Sequence, residues 1–382
     1  MKLTYLTWGY PHDDKIIRAF EATGIEVEKR ALPSGFLAEG EEEPGREADG
    51  DAHQELKAVL RSAEGDMIFS VNFFAAVSDF CREEGLAYCS WVLALPNHDL
   101  YTRAVMNSCN YIGICDSYLV EKLMGIGVGK VFLLPDAVEV CEREKQLLVE
   151  RGVCFVGSRP KEQLFLGKMS LYNQGYIESF LHIQRVLHGA YILENGLLGP
   201  VQQELMNVHP APQDILPEFR KLYVADYHLA PSVTCLQQNI ILQNFNNLMT
   251  VYSDDDFSAA GAECHPYPTE EEERRWIYSS KEFTLVLAPH ALHYGIPRQL
   301  LEVIIAGGFP LSGFQRDFNY FFTQDKNLAF FRDRTEFQRA VVRYGNDQGE
   351  RKRVQQAAYE TVLRQHTYAN RIESMLAMWS QL

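Results

Sequence analysis

The sequence predicts an α/β protein of two domains, each built on a parallel sheet with helices on both faces. The chain has 382 residues, and about 150 residues make a typical domain. Short apolar, strand-like runs alternate with helical patterns through residues 1–134 and again from residue 248 onward. That is the rhythm of parallel strands joined by helical crossovers. The runs are also apolar throughout instead of alternating, as expected for strands covered on both faces.

Taken in order, Leu3 to Trp8 reads as a strand, Asp14 to Glu21 as a helix closed by Gly24, and Ile25 to Ala31 as the next strand. Glu39 to Asp51 is acidic and glycine-punctuated and reads as a solvated loop. Helix and strand then alternate: helix Gln54–Ser62, strand Met67–Val71, helix Ala75–Glu84 and strand Ala87–Leu93. A helix near Tyr101–Met106, strand Tyr111–Cys115, helix Tyr118–Met124 and strand Val131–Leu134 follow. Gly125, Gly127 and Gly129 end a helix instead of starting one, so they read as a cap and turn. A helix-like stretch, Val140–Glu150, leads to strand Val153–Val156, and the domain boundary is expected there. Residues 160–247 read mostly as helices, a helical insertion.

The alternation resumes with strand Leu248–Tyr252 and helix Thr269–Tyr278, whose first turn holds glutamates where the helix dipole favours them. Strand Phe283–Leu287 is followed by helix Pro297–Ala306, with proline at the first position. Strands Phe309–Leu311 and Leu328–Phe331 precede helices Glu336–Arg343, Arg351–Arg364 and Tyr368–Trp379. The expected domains are 1–150, 151–366 and a closing helix, 367–382.

Composition narrows the function. The net charge is −15. It opposes nucleic-acid binding, which needs basic surface to replace phosphate counterions, and docking on anionic lipid. No apolar run approaches the roughly 20 residues of a membrane span, and the N-terminus lacks a signal h-region. The eight cysteines include no C-x-x-C pair and read as buried thiols of a reducing cytoplasm. A cytoplasmic location is therefore expected.

Ligands of open α/β sheets bind at the carboxyl ends of strands. One such place is Ala288–Gly308. Its loop carries His290, His293, Tyr294 and Gly295, and Pro297 then opens a helix whose free N–H groups favour an anion. Glu302, in that helix, suits the two hydroxyls of a ribose, while Gly307 and Gly308 end the helix and let the next strand approach. A second place is Gly157-Ser158-Arg159, a turn that suits a diphosphate. Either reading competes with that of an ordinary strand–helix turn. His98 and Asp99 follow the fourth strand as a candidate general base and its orienting carboxylate, or Asp99 simply caps a helix. Asp13-Asp14 and Asp254-Asp255-Asp256 read as caps and turns, with Asp14 as an N-cap, and no metal is assigned. G-x-S-x-G, a strand-following G-x-G-x-x-G and a P-loop are all absent.

The stretches GIPRQLLEVIIAGGFPLSGF, LAFFRDRTEF and HTYANR resemble the C-terminal region of the CgeB-like spore-maturation glycosyltransferases. DMIFSVNFF, YCSWVLALPNHDLY, VFLLPDAVE and CFVGS resemble the N-terminal region found with it. The resemblance implies the GT-B fold: two Rossmann-like domains facing across a cleft, with the last helix crossing back to the first. It implies a nucleotide-sugar donor on the second domain, an acceptor (a protein or a glycan) on the first, and metal-independent transfer without a cofactor. Under it, Glu302 holds the ribose. The Pro297 helix, Arg298, Gly157 and Ser158 hold the diphosphate, and His290 or His293 touches the diphosphate or the sugar.

The chain departs from the family at Ala94, Ala288 and Gln299, and Tyr294 occupies the earlier of two positions where retaining relatives carry glutamates. These departures motivate a second reading, a catalytically weak subunit that positions a partner glycosyltransferase. An epimerase or phosphorylase is a third.

Overall fold

The computed structural model describes residues 2–33, 50–140, 149–245, 249–255, 257 and 261–379. Residues 39–49 of the acidic stretch, most of the Val140–Glu150 stretch, Cys141, Leu248 and Asp256 lie outside the described residues, while Gly50 and Asp51, read as loop, begin helix Gly50–Arg61. The chain divides into two compact units. The first is Met1–Pro135 with Ala211–Tyr223 and Tyr368–Leu382, and the second is Asp136–Pro210 with Val224–Thr367. The junction expected near residue 150 thus lies at 135–136, and part of the 160–247 insertion goes with the first unit.

The first unit holds six parallel strands: β1 (Lys2–Thr7), β2 (Glu26–Ala31), β3 (Met67–Val71), β4 (Ala87–Val92), β5 (Asn110–Ile114) and β6 (Val131–Leu133). Their order across the sheet is β2-β1-β3-β4-β5-β6. The order reverses between β1 and β3, the topological switch point where such sheets bind ligands. The central strand β3 is buried along its whole length, which is why its sequence shows no polar alternation. The final helix, Tyr368–Trp379, belongs to this unit, where Trp379 stacks on Phe20 of helix Asp13–Glu21 with ring centroids 5.9 Å apart.

The second unit repeats the plan with β7 (Glu150–Val156), β8 (Met249–Tyr252), β9 (Glu263–His265), β10 (Lys281–Val286), β11 (Pro310–Gly313) and β12 (Ala329–Phe331). The order is β12-β11-β10-β7-β8-β9, all parallel. Here the switch point lies between β7 and β10. Both faces are covered. Val286 packs with Leu300, Leu301 and Ile304 on one face, and Leu285 packs with Phe155, Val251 and Leu311 on the other. Residues 160–245 form helices Leu171–Val186, Gly199–Val208 and Ala230–Phe245 with shorter turns between them.

Four local readings are corrected. The expected helix near Tyr101–Met106 is two 3-10 turns, His98–Tyr101 and Arg103–Met106. Asp14 does not cap a helix but pairs with Lys29 at 2.9 Å. The edge strand β9 has no apolar pattern to announce it, since its side chains are half-buried or exposed. Not every thiol is interior: Cys264 is exposed and Cys109 half-buried.

Candidate functional site

The β7/β10 switch point brings together the two loops singled out from the sequence. After β7 the chain turns at Gly157-Ser158, where the Gly157 N–H donates to Tyr252 O at 3.1 Å. Ser158 lies exposed at this edge. After β10 the loop 288–296 leads to Pro297 and helix Arg298–Ile305. The Gln299 side chain ties them: its Nε2 donates to Val156 O at 2.6 Å, at the carboxyl end of β7. The helix start therefore sits beside the Gly157-Ser158 turn, a backbone arrangement suited to an anion.

The side chains around this edge differ from expectation. Arg298 donates from Nε to Glu302 at 2.8 Å and from Nη1 to Asp136 Oδ1 at 2.8 Å and Ala137 O at 3.0 Å. Its charge is engaged by two carboxylates, so it positions Glu302 instead of offering itself to a diphosphate. Glu302 faces helix Glu271–Ser280, lining a small recess with Arg274, Arg275 and Tyr278. Arg159 is also engaged. Its guanidinium donates to Asn239 at 2.6 Å and stacks on Phe257 at 4.0 Å, while its N–H is capped by Asp255.

His290 and His293 turn inward. His293 Nε2 is 2.8 Å from Asp226 Oδ1, with both side chains 0% exposed. Tyr191 donates to the same oxygen and packs edge-on against the His293 ring at 4.2 Å. His290 lines a cavity of about 20 Å³ with His188, Gln184, Gln237 and Gln315. That space fits about one water, far less than a phosphate. Burial, reinforced by His188 and His293, pushes the His290 ring down to about 3, so it is neutral. The insertion explains this: segments 187–191 and 225–229 pack over the loop and convert its histidines from ligand groups to interior ones.

Tyr294 carries the guanidinium of Arg316 over its ring at 4.9 Å, and Gly295 is buried in the same loop. Gly307 and Gly308 lie at the far end of the helix, about 12 Å from its start by the rise of its eight residues. Gly307 has φ +84, and a Cβ on Gly308 would meet Tyr278 O at 2.4 Å. They serve the packing of the helix end against Tyr278 and the turn into β11.

In the first unit His98 and Asp99 separate. Asp99 accepts from the Ala75 N–H at 2.8 Å and thereby caps helix Ala75–Glu84. Burial is the main cause that raises its carboxyl above the usual range. His98 finds a different carboxylate: its Nε2 is 2.9 Å from Asp214 Oδ2, and its ring meets Tyr223 edge-on. Asp214 stands 116 residues away in sequence, so no local spacing signals the pair.

Residues 242–377 match the family described as Glycosyl transferase-like. That span contains the post-β10 loop and the helix beside Ser158. No curated protein matches the chain. Solved structures match at full length of this chain. A glycosyltransferase from Rickettsia africae has TM-score 0.52 and 8% identity, with 98% of that chain covered. The lipopolysaccharide outer core galactosyltransferase WaaB has TM-score 0.53 and 11% identity, with 100% covered. Anabaena HepE, solved in complex with UDP and glucose, has TM-score 0.52 and 7% identity, with 100% covered. The chain has the GT-B fold, and its residues 242–377 are glycosyl transferase-like. No helix among the described residues is long and apolar enough to cross a membrane.

Proposed function

We propose that the chain transfers a sugar from a nucleotide-sugar donor, held by the second unit, to an acceptor met by the first. It would act in the cytoplasm as a member of the CgeB-like group. The observation that carries this reading is the β7/β10 edge, where Gln299, inside the glycosyl transferase-like span, joins the helix start to the Gly157-Ser158 turn. The helix N-terminus, Ser158 and backbone N–H groups bind the diphosphate, and Glu302, held by Arg298, accepts the ribose hydroxyls. The UDP complexes of the structurally similar HepE support a nucleoside diphosphate as the recognised part. His98, oriented by Asp214, takes the acceptor's hydroxyl proton. The acceptor oxygen bonds to the anomeric carbon as the bond to the diphosphate breaks. The helix dipole, not a divalent cation, stabilises the departing diphosphate, so chelation by EDTA leaves turnover unchanged.

Thermal melting against UDP, GDP, ADP, TDP and CDP tests the donor site, because a ligand of the folded state raises Tm by mass action. One base is expected to raise Tm, and Glu302→Ala to abolish the rise. No shift with any of the five, from a folded protein, overturns the reading. The engagement of Arg159 and Arg298 by other side chains favours one alternative, a weakly catalytic subunit positioning a partner glycosyltransferase. It predicts complex formation without turnover.

A further inference from the structure

In the first unit a cleft of about 470 Å³ opens at the carboxyl ends of the neighbouring strands β1 and β2. Trp8, Tyr10, Asp14 and Lys29 are among the residues that line it. This cleft is the largest of the cavities described here, and none of the residues assigned above lines it.

The loop after β1 is built to present aromatic faces. Gly9 has φ +88, a backbone conformation that L side chains rarely adopt. Its N–H donates to Thr7 Oγ1 at 3.0 Å. Thr7 and Tyr5 both donate to the buried carboxylate of Asp13, which locks the turn from beneath. Trp8 is held from the side: its indole N–H donates to Val71 O at the end of β3, 2.9 Å away. With the N–H occupied, what the indole offers the cleft is its flat apolar surface. Tyr10 lies 5.6 Å from it at an interplanar angle of 50°, so the two rings form a shallow corner. In the same lining the Asp14–Lys29 pair supplies acceptor and donor 2.9 Å apart.

We propose that this cleft binds an uncharged saccharide and is the acceptor site, an inference that rests on the glycosyltransferase reading above. A pyranose ring has an apolar face of C–H groups, slightly positive, which the negative face of an aromatic ring attracts. Its edge carries neighbouring hydroxyls, which a carboxylate–ammonium pair can bind as acceptor and donor at once. Of the three charged side chains in the lining, Asp13 and Asp14 are carboxylates and only Lys29 is a cation, which favours a neutral sugar over a phosphorylated one.

The test is saturation-transfer NMR on the full chain with millimolar glucose, galactose, mannose, N-acetylglucosamine, maltose and lactose, beside glucose 6-phosphate. At least one neutral sugar is expected to receive saturation. Its affinity should fall at least tenfold in both Trp8→Ala and Tyr10→Ala, and glucose 6-phosphate should bind more weakly than glucose. Because Trp8→Ala also removes the bond to β3, Tyr10→Ala serves as the variant that leaves that bond intact. The proposal is overturned if no neutral sugar binds, if both variants bind as the wild type does, or if the phosphate ester binds better. The nucleotide melting panel on the same preparation separates the two readings. A nucleotide shift without sugar binding sinks the cleft alone. Sugar binding lost in the variants, without any nucleotide shift, sinks the donor reading and leaves a saccharide-binding cleft.

Discussion

Each unit contains a histidine–aspartate pair, the two of nearly equal length, and they do different work. His98 and Asp214 in the first unit are 2.9 Å apart with side chains 27% and 55% exposed. His293 and Asp226 in the second are 2.8 Å apart and fully enclosed, with Tyr191 on the same oxygen. The bond geometry is the same, so surroundings decide the role. The exposed pair can exchange a proton with a substrate. The enclosed pair has no route to one and fastens the loop after β10 to the insertion.

The comparison is broken most directly by Asp226→Ala. Removing one partner of an enclosed pair is expected to cost about 3–5 kcal/mol of stability, read by denaturant unfolding. A loss within experimental error would show that the pair holds nothing. His98→Ala should do the reverse. Its stability should change by less than about 1 kcal/mol, as for an exposed pair. Transfer should slow by about 100-fold or more, the usual contribution of a general base. Asp214→Ala acts through His98. A drop of about tenfold is expected, equivalent to ~1.4 kcal/mol, with the pH profile of turnover displaced, which a merely structural role would not move. Asp99→Ala removes the cap on helix Ala75–Glu84 and should cost about 1 kcal/mol, read by denaturant unfolding.

A separate effect is in pH. Burial holds His188 and His228 down to about 4 and His290 to about 3. Folded, they stay neutral, while the unfolded chain takes up their protons below about 6.5. Stability is therefore present above that pH and is lost as pH falls toward 4. Tm should decline from pH 7 to 5, and His290→Gln should make the decline shallower.

The strands were legible because covered strands advertise themselves as apolar runs. Met67–Val71 and Ala75–Glu84 fall where the pattern puts them. β9 was not legible, because an exposed edge strand buries too little to leave a pattern. The β7/β10 edge was legible as two loops, since Gly157-Ser158 and Pro297 are local signals. What the insertion does to His290 and His293 was not, because Tyr191 and Asp226 come from a helical region with no visible link to that loop. For the same reason Asp99 looked like the partner of His98 when Asp214 is. The aromatic corner at Trp8 and Tyr10 hides in a strand end, since nothing in the sequence tells that Val71 will take the indole N–H.

The most direct measurement is release of nucleoside diphosphate from a panel of nucleotide sugars, in EDTA, with and without neutral saccharides, for the wild type and His98→Ala. The account predicts release from one donor, accelerated by a neutral acceptor and lowered by about 100-fold or more in His98→Ala. No release above background from any donor and acceptor pair, by a protein that melts cooperatively, would contradict it.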